Sequence, residues 1–248
     1  MLLEDKIALV TGAGSGIGEA IARRLAAEGA RVTVADINDD GGHRVVGEIQ
    51  AEGGNADFFH ADIASAAGAQ ELVNHVVSTH GRLDLAANNA GLSERPGLMH
   101  ELDPDDWAKV IGVDLTGTWL CMRAELVQFV EQGGGAIVNT ASGAGLKATP
   151  GLTAYSAAKH GVVGLTRTGA IDYVKHNIRI NAVAPGTIRT PAMEAAGEAQ
   201  MAEWAALMPS GRMGTPEEIA AGVAWLFSEQ ASYITGTVLE IDGGYMQA

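Results

Sequence analysis

Thr11-Gly12-Ala13-Gly14-Ser15-Gly16-Ile17-Gly18 follows the apolar run Ile7–Val10 and opens a pattern that places Ile17, Ile21 and Leu25 on one helical face. Strand, glycine-rich turn and helix in that order form a phosphate cradle. Glycine lets the backbone turn tightly and approach a pyrophosphate, while the helix start presents free N–H groups and a positive dipole end. Strict G-x-G-x-x-G spacing fails from Gly12, because Ile17 stands where the third glycine belongs. The variant G-x-x-x-G-x-G fits through Gly12, Gly16 and Gly18, with Ser15 and Ile17 between them. An ordinary glycine-rich turn is the alternative reading.

Downstream, short apolar runs alternate with helical patterns. The strands expected are Ile7–Val10, Val32–Asp36, Ala56–His60, Leu83–Asn88, Ala136–Thr140, Ile178–Ala184 and Val238–Ile241. Helices are expected over Ile17–Glu28, Gly42–Glu52, Ala67–His80, Pro104–Gln132, Tyr155–His176 and Pro216–Ser228. Continuous apolar strands with helical crossovers predict an α/β fold: a doubly wound parallel sheet of seven strands, flanked by helices on both faces. With no linker or internal repeat in its 248 residues, the chain reads as one domain, 1–248. The stretch Thr187–Gly214 is too long for a simple connection; short helices and a lid role are expected there.

Composition excludes several classes. Lys and Arg total 16 against 30 Asp and Glu, a net charge of −14. Nucleic acids and anionic membrane surfaces want the opposite sign, so neither is expected as a partner. No apolar run reaches the ~20 residues that span a bilayer, and the first residues lack a secretion-signal pattern. The one cysteine, Cys121, has no internal disulfide partner. A cytoplasmic location is the expectation. The seven histidines show no metal-ligand spacing, so no metal is expected.

Open α/β sheets bind ligands at the carboxyl ends of their strands, and the polar residues there follow suit. Asp36 ends the second strand, placed to accept hydrogen bonds from an adenosine ribose. It would repel a 2′-phosphate by ~1–3 kcal/mol, favouring NAD over NADP about 10–100-fold. No arginine stands in the loop or directly after Asp36, and Arg44 lies in the next helix. Asp62-Ile63 follows the third strand, where the carboxylate would meet an adenine amino group or cap a helix. Asn88-Asn89-Ala90-Gly91 closes the fourth.

Tyr155-Ser156-Ala157-Ala158-Lys159 places a phenol and an amine four residues apart, on one face of a helix. A nearby ammonium favours the phenolate, and such a phenol can trade a proton with an alcohol or carbonyl. Ser142 lies just past the fifth strand, able to steady a substrate oxygen, with no G-x-S-x-G context to suggest a hydrolase. Leu92, Ser93, Glu94, Gly143, Ala144, Leu146, Leu152, Met193 and Trp204 are the candidates for the substrate pocket.

Taken from Lys6 to Gly244, these motifs in this order resemble the short-chain dehydrogenase/reductase family, of the small one-domain NAD-dependent type with a Rossmann fold. The resemblance implies Tyr155 as general acid/base, Ser142 as donor to the substrate oxygen, and Lys159 as the holder of the nicotinamide ribose. It implies that Pro185, Gly186, Ile188 and Thr190 seat the nicotinamide and that Asn89 lies near the cofactor ribose. Where the family carries an asparagine as fourth catalytic member, this chain has Asp114, within Val113-Asp114-Leu115-Thr116-Gly117. The family role belongs chiefly to the main-chain carbonyl, which an aspartate keeps; its charge would also act on the lysine. The helix of Tyr155 and the one before it form subunit contacts in the family, commonly in tetramers, so a homotetramer is expected. The activity implied is NAD-dependent hydride exchange between a secondary alcohol, cyclic or aromatic from the apolar pocket candidates, and its ketone. A 3-oxoacyl-carrier-protein reductase and a catalytically silent NAD-binding regulator are the alternatives.

Overall fold

The computed structural model describes residues Met1–Ala248. Strands β1 (Ile7–Thr11), β2 (Arg31–Asp36), β3 (Asn55–His60), β4 (Leu85–Asn88), β5 (Gly135–Thr140), β6 (Ile178–Pro185) and β7 (Val238–Ile241) join one sheet. Their spatial order is β3-β2-β1-β4-β5-β6-β7, and every pairing is parallel. The order reverses direction beside β1, whose Val10 pairs with Val34 on one side and Ala87 on the other. That reversal leaves a crevice between the carboxyl ends of β1 and β4, since the connections leave them toward opposite faces.

Helices α1 (Gly16–Ala27), α2 (Asp39–Ala51), α3 (Ala66–His80), α4 (Pro104–Val110), α5 (Thr118–Gln132), α6 (Thr153–Tyr173), α7 (Pro191–Glu194), α8 (Glu198–Ala206) and α9 (Pro216–Phe227) complete the chain. Because side chains alternate across a strand, β1 feeds two cores. Ala8 and Val10 join a layer with Ile21 and Leu25 of α1, Val45 and Ile49 of α2, and Ile219 and Val223 of α9. Ile7 and Leu9 join the opposite layer with Leu72 and Val76 of α3 and Leu126 and Phe129 of α5. Burying a Leu, Ile or Phe side chain is worth about 1.5–3 kcal/mol, so these two layers hold the sheet ends in register.

The seven expected strands are present with small shifts of bounds. Three helices differ from expectation. α2 starts at Asp39 rather than Gly42, because the Asn38 side chain accepts the Gly41 N–H at 3.2 Å and caps an extra turn despite two glycines. α6 ends at Tyr173, and Val174–His176 tightens into a 3₁₀ turn closed by Asn177 in the left-handed region. The expected single helix Pro104–Gln132 is a continuous rod, but Ile111–Gly117 is π-helical within it. Extra width there turns Asp114 fully inward, at 0% exposure.

The expected irregular stretch carries the short helices α7 and α8. Its base is pinned where Ile188 pairs with Gly214, through Arg189 N–H to Gly214 O and Gly214 N–H to Thr187 O, both at 2.9 Å.

Candidate active site

At the crevice, Gly12 and Gly16 hold φ of +63° and +59°, a region side-chain-bearing residues rarely enter. A Cβ on Gly12 would stand 2.7 Å from Ala90 Cα, so the glycine is what lets the β1 and β4 loops meet. Ser15 heads α1 in extended conformation and caps none of its first-turn N–H groups. Those donors face the crevice without a protein partner, which is the arrangement a pyrophosphate fits. Asp36 closes the far side of the loop, accepting N–H groups from Gly14 at 2.8 Å and Asn38 at 2.9 Å.

One sequence expectation needs correction here. Arg44, set aside because it lies in the next helix, folds back onto the glycine-rich loop and donates to Gly14 O at 3.1 Å. Glu19 at 2.6 Å and Glu48 at 3.0 Å pair with it, and these two carboxylates raise its already high pKa. Its charge is therefore largely answered within the protein.

Asp62 is exposed, and its carboxylate accepts the Ala64 N–H at 3.0 Å, shaping the turn after β3. The cap of α3 is Ser65, which accepts the Gly68 N–H at 2.9 Å, so the capping alternative for Asp62 fails. Ile63 is buried in the second core layer. Asn89 stitches three strand ends: its Nδ2 donates to Thr11 O at 3.2 Å and Gly12 O at 3.3 Å, and its Oδ1 accepts from Thr140 Oγ1 at 3.3 Å. On the opposite flank, Gly186 packs against Asp242, where a Cβ would stand 2.8 Å from the Asp242 Cα. Thr190 caps α7 by accepting the Met193 N–H at 3.4 Å, and its side chain lies across from Gly16. Pro185 ends β6, and Ile188 is buried at the base of the stretch that carries α7 and α8.

The second constellation gathers where β4, β5, the π-helical turn and α6 converge. Lys159 is 3% exposed. Its Nζ donates to Thr140 O at 3.1 Å, stands 3.1 Å from Asp114 Oδ2, and lies 5.4 Å from the Tyr155 ring centroid. The approach to Asp114 is an ion-pair contact without hydrogen-bond alignment, since Oδ2 has no aligned donor. Burial pushes the Asp114 carboxyl upward, against the opposing pull of the Lys159 ammonium and the Leu92 N–H. Burial also pulls on Lys159, downward, but Asp114 and Tyr155 outweigh it and the ammonium form is held. Asp114 Oδ1 accepts the Leu92 N–H at 2.8 Å, and its main-chain carbonyl accepts from Thr118 Oγ1 at 2.8 Å. Ser142 is half-buried, with its Oγ accepting the Ala144 N–H at 3.1 Å. The turn that follows rests on α6, where a Cβ on Gly145 would strike Lys159 O at 2.6 Å.

Three features lay outside the sequence reading. Glu94 lines a cleft, as expected of a pocket candidate, but its carboxylate also reaches the α6 backbone, accepting the Ala154 N–H at 2.7 Å and the Tyr155 N–H at 3.0 Å. Tyr245 and Met246, from the chain end, pack beside Gly143, next to Ser142. Lys147 donates to Tyr245 O at 2.9 Å and stands 4.0 Å over its ring, tying that end to the Ser142 loop. No sequence spacing marks these contacts, because each joins segments about 60 to 100 residues apart. Elsewhere, Cys121 is buried and its thiol is pushed well up by burial, as suits a core residue.

Comparison with known proteins agrees with this geometry. Residues 12–246 match the family model described as enoyl-(acyl carrier protein) reductase. The chain is 45% identical over 241 residues to a cyclohexanol dehydrogenase of Acinetobacter sp. (strain SE19), covering 97% of this chain and 95% of that protein. It is 42% identical over 247 residues to a 2,5-dichloro-2,5-cyclohexadiene-1,4-diol dehydrogenase of Sphingobium indicum, covering 98% of both. A solved levodione reductase superposes with a TM-score of 0.94 at 38% identity, over 99% of each chain. The chain belongs to the short-chain dehydrogenase/reductase family, oxidoreductases that work with a nicotinamide cofactor.

Proposed function

We propose that the protein is an NAD-dependent dehydrogenase interconverting a cyclic secondary alcohol and its ketone. One observation carries the reading: a buried, charged Lys159 held against the Tyr155 ring at the mouth of a phosphate-fitting crevice. The relatives named above, which act on six-membered rings, support the substrate class.

Bound NAD supplies the hydride acceptor during oxidation and, as NADH, the donor during reduction. The chain's residues do the rest. The uncapped start of α1 at Ser15–Gly18 would hold the pyrophosphate, Asp36 the adenosine ribose, and Asp62 with Ile63 would border the adenine. Asn89 would flank the nicotinamide ribose, with Pro185, Gly186, Ile188 and Thr190 along the nicotinamide. Tyr155, as phenolate, takes the proton of the substrate hydroxyl, and Ser142 donates to the oxygen as its charge grows. Lys159, beside the Tyr155 ring, would hold the ribose. Asp114 keeps the lysine charged by direct contact, a role its side chain adds to the family's main-chain carbonyl.

Asp36 favours NAD through its charge, and Arg44 does not reverse this because Glu19 and Glu48 engage it. A carrier-protein substrate fits less well, because an acidic carrier would meet a surface of net charge −14. The intact set of Ser142, Tyr155 and Lys159 speaks against a silent regulator. A homotetramer, with α5 and α6 at its contacts, belongs to the same proposal.

The test is absorbance of NADH during incubation with cyclohexanol, cyclic diols, sugars and β-keto esters, with NAD(H) and NADP(H) in parallel. Cyclohexanol with NAD is expected to turn over, and NADP at least tenfold less efficiently. Tyr155→Phe is expected to lose at least ~1000-fold in kcat with unchanged NAD affinity. Near-parental turnover in that variant removes Tyr155 from the chemistry.

A further inference from the structure

Helix α6 starts without a cap of its own. Leu152 occupies the capping position and brings no polar atom, and Thr153 does not bond back. The first N–H groups of that helix are answered from 60 residues away. Glu94, 7% exposed, accepts the Ala154 N–H through Oε1 at 2.7 Å and the Tyr155 N–H through Oε2 at 3.0 Å. A local Ser, Thr, Asp or Asn would cap a helix at far less desolvation cost. Glu94 also has no cation within ion-pair distance. A buried acid used this way has a job that a local cap cannot do.

That job is visible in what else the segment holds. Two residues before Glu94, the Leu92 N–H donates to Asp114, and Asp114 faces Lys159. A three-residue stretch therefore touches Tyr155 directly and Lys159 through one carboxylate. Its outer side lines a cleft of about 590 Å³ with Lys109 and Thr153, the residue that opens α6.

We infer that Glu94 is a positioning residue for the reaction: its carboxylate, gripping the N–H groups of Ala154 and Tyr155, sets where the tyrosine sits relative to the lysine one turn later and ties that placement to the loop beside the substrate. The inference rests on the role proposed for Tyr155. Displacement of a reacting group by about 1 Å can cost ~100-fold in rate. Glu94→Ala is therefore expected to lower kcat about 10–100-fold, with little change in KM or in NAD affinity, since Glu94 bonds neither to the glycine-rich loop nor to Asp36. Glu94→Gln keeps one acceptor oxygen and is expected to recover at least fivefold over Glu94→Ala.

Two measurements are made on the full-length protein. One is kcat per folded active site, counted by NADH fluorescence titration, with cyclohexanol as the probe substrate. The other is amide hydrogen exchange, which needs no turnover: in Glu94→Ala the Ala154 and Tyr155 amides are expected to exchange at least tenfold faster while those beyond Lys159 keep their protection. Unchanged exchange overturns the inference whatever the activity, and so does an unchanged kcat per folded site, or equal kcat losses in the Ala and Gln variants. Tyr155→Phe is run beside them: near-parental turnover there defeats the reading of Tyr155, whereas its collapse with full activity in Glu94→Ala defeats only the positioning role.

Discussion

Asp114 and Glu125 lie 11 residues apart on one helical rod, both are 0% exposed and burial pushes both carboxyls up, yet the two face different partners. Asp114 faces the Lys159 ammonium at 3.1 Å. Glu125 faces amides: its Oε2 accepts from Asn88 Nδ2 at 3.0 Å, and its Oε1 and the Asn88 Oδ1 have no partner. Burial pushes the Glu125 carboxyl up to about 8, with the Asn88 bond only partly opposing it. A proton on Glu125 answers the shortage, because the neutral acid brings the donor that two acceptors lack. Where the proposed chemistry needs a cation, the fold keeps a charged pair; eleven residues on, with no chemistry to serve, it keeps an acid neutral.

The largest effect expected is from breaking the charged pair. Asp114→Leu leaves Lys159 buried without its counter-charge, a situation that costs roughly 3–5 kcal/mol. At ~2–4 °C per kcal/mol for a chain of this size, scanning calorimetry at pH 7 should show a fall in Tm of roughly 10 °C. Glu125→Gln, which swaps one neutral hydrogen-bonding group for another, should shift Tm by less than about 3 °C at the same pH. Equal shifts in the two variants would mean that Glu125 is as charged as Asp114.

Acidity gives the next test, through Glu125 and Lys159. The folded protein holds the Glu125 proton up to about pH 8, whereas the unfolded chain releases it near 4.5. Between those values the folded state binds more protons, so stability falls as pH rises, by up to ~1.4 kcal/mol per pH unit. For Lys159, also raised, the contribution has the same sign but a different window: it is complete below about 10.5 and is lost above. Urea midpoints at pH 5, 6, 7 and 8 should therefore decline in the parent and decline less in Glu125→Gln. Identical slopes would show that the Glu125 proton is gone by neutral pH.

The same contrast explains which features are legible in the amino-acid sequence. The seven strands, the glycine-rich turn and the Tyr155/Lys159 face follow from spacing within a few residues, where backbone geometry leaves little choice. Asp114 was visible as a departure from a family pattern, but its inward turn depends on the π-helical stretch, and helical periodicity gives no cue for an extra residue per turn. Glu125 is opaque for another reason: a glutamate in a helix reads as a surface residue, and only a contact 37 residues away shows it buried. Glu94 is legible as a pocket candidate, but its grip on α6, 60 residues on, is not. Arg44 illustrates the same limit, since its approach to Gly14 is set by how α2 packs beside the loop.

The smallest effect tests how far the neutral network extends. Asn139 carries the chain of amides onward: its Oδ1 accepts from Asn88 Nδ2 at 3.1 Å, and its Nδ2 donates to Thr166 Oγ1 at 2.9 Å. Thr166 in turn donates to Val162 O at 2.8 Å, inside α6. Thr166→Val keeps the shape and removes the acceptor, leaving Asn139 Nδ2 with only the Met122 sulfur at 3.4 Å. One lost buried bond costs about 1 kcal/mol, or a Tm decrease of roughly 2–4 °C. Because Thr166 sits on the same helix as Tyr155 and Lys159 but two turns beyond the lysine, the pH profile of kcat should not move. A Tm loss with an unmoved profile would place Thr166 with the neutral, structural side of the contrast. A shifted profile would mean that the amide chain and the charged pair act as one network, and the division between Asp114 and Glu125 would have to be redrawn around α6.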